Sequence, residues 1–392
     1  MDLSQIRADT PATRHRAYLH NAGAALMPQP VVKAMKNHID LEAEIGGYAA
    51  ARCEERRCED VYSSVARLIN ALPQEIALVE NATVAWQMAF YSLRFAPGDR
   101  ILTAESEYAA NYVAFLQMAK RTGAVIDVVP SDATGELDVA ALERLVDRRV
   151  KLIAVTWVPT NGGLVNPAAA IGRIARAHDI PYLLDACQAV GQMPADVDEL
   201  NCDMLSATGR KFLRGPRGTG FLYVRKSLLD RLDPPMIDHY AAPWVSRDRY
   251  ELRPDARRFE NWENNYAARL GLGAAVDYAL GLGLAGIEER CRMLSQRLRT
   301  RLSAVAGITV RDLGRAPSAI VSFTIKDLEA RDVVRSADAA RITIGASDPA
   351  STRIDAEKRR LPNLVRASPH YYNVEEEVDR LAEICARLVK GT

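Results

Sequence analysis

Short apolar runs alternate with stretches that carry apolar residues every three or four positions through the first two-thirds of the chain. Residues 100–104, 125–130, 151–158, 181–186 and 202–206 are largely apolar. That is the pattern of strands buried on both faces of a parallel sheet. Between them, residues 111–122, 138–147 and 167–178 carry apolar residues at helical spacing. This alternation predicts an α/β protein, a mostly parallel sheet covered by helices. Residues 218–224 read as one more strand, and 76–79 as another ahead of the series.

The pattern changes near Asp233-Pro234-Pro235. An irregular stretch rich in Arg, Trp and Pro runs to about residue 265, and a long helical pattern follows from 266 towards 302. Strands are expected at 308–310, 319–325 and 341–344, with a helix at 330–340. The last helix starts after Asn373, which forms a capping-box pattern with Glu376, and Leu381, Ile384 and Leu388 supply its apolar stripe. The division expected is a large domain over 31–255 and a smaller α+β domain formed by 1–30 with 256–392. Residues 281–286 match GxGxxG but lie inside a helical pattern. A dinucleotide site needs a preceding strand, so a helix break or close helix packing is the better reading.

Composition narrows the function. The chain has 392 residues, 48% hydrophobic and 26% charged, with a net charge of +1. Neither nucleic acid nor an anionic membrane is indicated as a partner. Residues 1–16 are polar, without the apolar core of a signal peptide. The most apolar stretch, 270–287, is interrupted by Asp277, so a cytoplasmic protein is expected. The six cysteines form no CxxC pair and are expected to be reduced and mostly packed. Cys187 in particular is expected to pack against the sheet. The six histidines show no metal-binding spacing, so no metal is expected.

Candidate chemistry gathers where strands end. Lys211 follows the run 202–206 and precedes the glycine-rich segment 215–220, which places it at the carboxyl edge of the sheet, where open α/β sheets bind ligands. The neighbouring Arg210 favours the neutral amine that attacks an aldehyde. Asp185 ends the run 182–184 and suits the ring nitrogen of pyridoxal phosphate (PLP), whose protonated ring is an electron sink. Gln188 follows within reach of that cofactor's phenolic oxygen. The polar break at 80–84 opens a helix, and Thr83 there suits a phosphate.

With these residues in view, the chain resembles the class V aminotransferase superfamily. This branch of fold-type I PLP enzymes contains cysteine desulfurases, selenocysteine lyases and isopenicillin-N-epimerase-like proteins. The resemblance runs from Tyr18-Leu19-His20-Asn21-Ala22-Gly23 to 365–373. Asp185-Ala186-Cys187-Gln188, then 206–211 and 215–220, carry it. It implies a covalent aldimine of PLP on Lys211, with Asp185 on the pyridinium and Gln188 on the phenolic oxygen. Ala82, Thr83, Thr208 and Arg210 would hold phosphate. Tyr108 would stack on the ring where the family usually has His. Asn161 would lie near the cofactor–substrate junction, with Arg366 on the substrate carboxylate and Asn21 and Ala22 beside it. A homodimer with shared active sites is also implied.

Two departures shape the expected reaction. Desulfurases of this family carry a cysteine on the loop before the carboxylate-binding arginine; residues 344–353 contain none. A persulfide needs a thiolate nucleophile. The expected function is therefore a PLP enzyme acting on a small, sulfur-containing amino acid through a Cα carbanion, with β-elimination (C–S lyase chemistry) favoured. The alternatives are epimerisation, transamination, a desulfurase without the loop cysteine, or a PLP-fold protein that binds without turnover. Second, in desulfurases the stretch comparable to 258–265 offers a Thr to the partner subunit's phosphate. Here Glu263 would repel phosphate, so that contact is either made by Asn264 or absent.

Overall fold

The computed structural model describes residues 1–391. Seven strands form the larger sheet: β1 (Ile76–Val79), β2 (Arg100–Ala104), β3 (Val125–Val129), β4 (Val150–Thr156), β5 (Tyr182–Asp185), β6 (Met204–Thr208) and β7 (Gly220–Val224). Their order is β1-β7-β6-β5-β4-β2-β3. All neighbours are parallel except β7, which runs antiparallel to both β1 and β6. The polarity of β7 follows from its short link to β6, since parallel neighbours need a long crossover.

Alternate residues of the central strands enter different cores. Ile153, Val155, Leu184 and Leu205 join one cluster. Leu152, Ala154, Leu183 and Met204 join the other. Burial on both faces is why these strands read as unbroken apolar runs. The principal helices are α1 (Gln29–Ile45), α2 (Glu55–Ile69), α3 (Ala82–Phe90), α4 (Ala109–Thr122), α5 (Val139–Leu145), α6 (Ala168–Ala177), α7 (Tyr266–Leu282), α8 (Leu284–Ser303), α9 (Ala330–Ala339) and α10 (Glu375–Lys390). Helix α3 packs on β6 and β7, and α7 packs on α1 and α2.

A second sheet has the order β8-β9-β11-β10, all antiparallel: β8 (Ile308–Val310), β9 (Val321–Ile325), β10 (Gly345–Ser347) and β11 (Leu364–Ala367). Val321, Phe323 and Val365 share a core with Leu294 and Leu298 of α8 and Leu381 and Ile384 of α10. The N-terminal segment is tied here. Ala17–Tyr18 pairs with Ile342–Thr343, and His20 bridges to Ser368.

Two expectations are corrected in detail. The helical pattern 266–302 is two helices bent by 82° at Gly283. Gly283 sits at φ +83°, a conformation glycine adopts without strain, so the GxGxxG match marks a helix break. The cap of α10 lies one residue later than expected. The backbone N–H of Val374 donates to Glu377 Oε2 at 3.2 Å. Asn373 is committed elsewhere: its Nδ2 donates to Glu377 and to the Tyr18 carbonyl, and its Oδ1 accepts from the His370 N–H. Among the described residues no single helix is long and apolar enough to cross a membrane.

Candidate active site

The parallel strands all end at one edge of the large sheet, and a cavity of about 500 Å³ opens there. Each wall is the residue set just beyond a strand. Asn81 to Val84 follow β1. Tyr108 and Asn111 follow β2. Thr156, Val158 and Thr160 end β4. Asp185, Cys187 and Gln188 end β5, and Thr208, Arg210 and Lys211 end β6.

Asp185 is held at both carboxylate oxygens. Its Oδ2 accepts from Asn111 Nδ2 at 2.9 Å and its Oδ1 from the Cys187 N–H at 2.9 Å. Burial pushes its carboxyl above the ordinary value, against the pull of Asn111, the Cys187 amide and the Lys211 charge. Behind it lies a second buried carboxylate, Glu107. Asn111 Nδ2 also donates to Glu107 Oε1 at 2.8 Å. Thr156 gives Glu107 its hydroxyl at 2.5 Å and its N–H at 3.0 Å, and Thr103 adds a hydroxyl at 3.0 Å. Burial raises Glu107 to about 7.

At the opposite end, Asn81 caps α3 by accepting from the Val84 N–H at 3.0 Å. The first-turn N–H groups of a helix lack intrahelical partners and favour an anion. Gly220 lets β7 approach this turn closely. A Cβ there would lie 2.8 Å from the Asn81 carbonyl carbon and 2.6 Å from the Ala207 oxygen. Thr208 Oγ1 donates to the Thr219 carbonyl at 3.2 Å. Arg210 Nη1 donates to the Gly23 carbonyl, tying the N-terminal loop to the cavity.

The Lys211 charge acts on the Cys187 thiol. The expectation that Cys187 packs against the sheet is therefore corrected: it is half-buried on the cavity wall. The Asp185 bond to its amide folds the turn so that the thiol faces Lys211. Burial raises that thiol's pKa. Gln188 Nε2 donates to the Ala22 carbonyl at 3.2 Å, while its buried Oε1 has no partner.

Arg366, Asn161, Asn21 and Ala22 are not among the lining residues but adjoin them, through Thr160 and Gln188. Arg366 of β11 donates from Nη1 to the Thr160 hydroxyl, and to its carbonyl at 3.3 Å. Its buried Nε has no partner. Burial and the Arg210 charge lower it to about 10, against the pull of Tyr108. Asn161 is taken up by the segment after β10: Nδ2 donates to the Asp348 carbonyl and Thr352 Oγ1, both at 3.0 Å, and Oδ1 accepts from Ser347. Asn21 Nδ2 donates to the Ser368 carbonyl at 2.7 Å, and the Ala22 N–H to Ser368 Oγ at 2.9 Å.

Glu107, Asn111, Thr156 and Thr160 were not singled out from sequence. The available signal was a Glu directly after an apolar strand with Asn one turn later. The donor set fits PLP. A buried carboxylate suits a ring nitrogen, an adjacent lysine suits an aldehyde, and a capped helix start suits a phosphate.

Comparison with known proteins agrees with this geometry. A family model, Aminotransferase class-V, matches residues 17–381. A "Probable cysteine desulfurase" of Methanothermobacter thermautotrophicus is 31% identical, with 98% of this chain and 97% of the relative covered. A "Cysteine desulfurase" of Yersinia pestis is 33% identical, covering 99% and 98%. The apo structure of a cysteine desulfurase from Thermococcus onnurineus superposes with a TM-score of 0.92 at 28% identity, over 99% of this chain and 98% of the other. With the fold, the strand-end cavity and the matched length in accord, the chain belongs to the class V aminotransferase family and is a PLP-dependent enzyme.

Proposed function

We propose that the protein cleaves the Cβ–S bond of a small sulfur-containing amino acid by β-elimination. The observation that carries this is the placement of thiols. The segment 344–353, facing Arg366 across the β10–β11 ladder, has no cysteine. The one thiol on the cavity wall, Cys187, has its pKa raised by burial, against the pull of the Lys211 charge. A thiol kept protonated is a poor nucleophile. The likeness to proteins named cysteine desulfurases supports sulfur as the leaving atom.

PLP bound here would supply the electron sink that lets a Cα proton and then a Cβ substituent depart. Asp185 would hold the ring nitrogen, and the cation there would favour its ionised form. Asn111 and Glu107 would keep Asp185 in place. Thr83, the Ala82 N–H, Thr208 and Arg210 would hold the phosphate, and Gln188 the phenolic oxygen. Tyr108 would cover one ring face, as an aromatic does well. Arg366 would take the substrate carboxylate, with Asn21, Ala22 and Asn161 shaping the seat around it.

Lys211 would take the Cα proton and return it to the departing sulfur. The bond between Cβ and sulfur breaks and sulfur leaves with the electron pair. The enamine released would add water and lose ammonia, so that cysteine gives pyruvate, ammonia and hydrogen sulfide. Tyr108 keeps its phenol protonated through burial and is a second donor at this end of the cavity.

A second copy of the chain would complete the assembly. Ile39, Tyr48 and Trp262 are 51%, 73% and 49% exposed. They line a depression of about 770 Å³ that reaches Glu80 and Gly220, directly behind the phosphate end. An apolar surface of this kind marks an interface.

Incubation of the holoenzyme with L-cysteine and L-cystine tests the reaction. Pyruvate and ammonia in step with released sulfur are expected. A racemised amino acid, or an oxo acid formed without sulfur release, would overturn it.

A further inference from the structure

His20 has no role in the site as described, yet it stands beside Arg366. Gly345 of β10 is directly opposite Arg366 of β11 in the antiparallel ladder. Opposite residues of such a pair project to the same face. A Cβ on Gly345 would lie 2.2 Å from His20 Cε1 and 2.6 Å from Nδ1. The imidazole therefore fills the place of a side chain at position 345, next to the guanidinium. On its other side a Cβ on Gly23 would lie 2.4 Å from His20 Nε2. The ring is wedged between two glycines, and Gly23 is itself held by Arg210.

Two polar atoms at this spot are buried without partners: His20 Nδ1 and Arg366 Nε. Buried polar groups are ordinarily hydrogen-bonded. Two orphans on adjoining side chains indicate one absent partner that meets both. The partner must accept hydrogen bonds, because a guanidinium only donates, and the Arg366 and Arg210 charges acting there favour an anion.

We propose that His20 is a substrate-binding residue, donating from Nδ1 to one oxygen of the substrate's α-carboxylate while Arg366 Nε holds the other. Burial, then the Arg366 and Arg210 charges, lower His20 to about 4. The ring is thus neutral at physiological pH and carries one N–H, which the seat places on Nδ1. The arginine supplies the charge and the imidazole supplies direction. This inference rests on the carboxylate seat proposed for Arg366 and is independent of which Cβ bond breaks.

The test titrates holoenzyme with glycine and with ethylamine, which has no carboxylate, reading the absorption of the bound cofactor. H20L fills the same volume without a donor and is expected to weaken glycine about tenfold or more. Ethylamine affinity is expected to stay within about twofold of wild type, since only the carboxylate contact is removed. H20N, which restores a donor, is expected to recover most of the glycine affinity. R366A is expected to weaken glycine more than H20L does. Unchanged glycine affinity in H20L, with R366A weakened, would overturn the His20 role alone. Unchanged affinity in R366A would overturn the carboxylate seat with it. Equal weakening of glycine and ethylamine in H20L, unrelieved in H20N, would reduce His20 to a packing residue.

Discussion

Asp185 and Glu107 share the amide of Asn111, one N–H to each carboxylate. This arrangement separates two buried negative charges while fixing the orientation of both. Glu107 is expected to be a positioning residue, and its titration has a definite sign. Its folded value is about 7, above the ordinary carboxyl range. The folded state therefore holds a proton that the unfolded state releases near pH 4.5, and stability falls as pH rises from there through about 7. Removing the charge with Glu107→Gln should flatten that fall, which thermal melts of the cofactor-free protein at pH 5, 6, 7 and 8 would show. A parallel pH dependence in wild type and variant would contradict the assignment. Lys211→Ala should lose borohydride trapping of cofactor and about 10²–10⁴-fold in turnover. A variant still labelled by borohydride elsewhere in the cavity would contradict it. Lys211 and Asp185 were legible in the sequence because each ends an apolar strand, a position that fixes its edge of the sheet. Glu107 and His20 were not. A lone charged or imidazole residue reads as surface, and only the packing of distant segments shows what surrounds it. Cys187 failed for a related reason. A small thiol after a buried strand looks like filler, and the turn made by Asp185 decides where it points.

The strands of the large sheet were readable as elements because both faces are buried. Their edges shifted by only a few residues, as at Met204–Thr208. The direction of β7 is not carried by its side-chain pattern; it follows from the short link between β6 and β7. That strand matters to the site, because Gly220 brings it against the start of α3. Gly220→Ala should push β7 away from Asn81 and weaken PLP by about tenfold, while leaving pyridoxal, which lacks the phosphate, nearly unchanged; overpacking of this kind costs about 1–3 kcal/mol. Equal loss for both ligands, measured by absorption titration, would place the damage elsewhere. Gly283 makes the opposite case. Its φ of +83° terminates α7 far from the cavity. Gly283→Ala should cost about 1 kcal/mol of stability and leave PLP affinity as it was, as melting and titration would report together.

The whole molecule brings residues from both ends of the chain to one place. The N-terminal loop reaches the cavity through Arg210 and Gln188. The second sheet reaches it through Arg366 and Thr160. A second copy of the chain on the face of Tyr48 and Trp262 would enclose the phosphate end. Tyr48→Glu with Trp262→Glu should lower the mass seen by sedimentation to that of one chain, while a wild type that already sediments as one chain would refute the interface. The family was legible from motif order along the chain. The reaction was not, because elimination and desulfuration share their first steps and part only at the nucleophile. In the proposed reading, the absent loop cysteine and a Cys187 thiol raised by burial favour elimination. The most direct measurement is therefore the carbon product of L-cysteine turnover by the holoenzyme, with the enzyme's own thiols analysed by mass spectrometry at the same time. The account predicts pyruvate equal to the sulfide released, with no sulfur retained on any cysteine. Alanine as the product, with a persulfide on the protein, would contradict it.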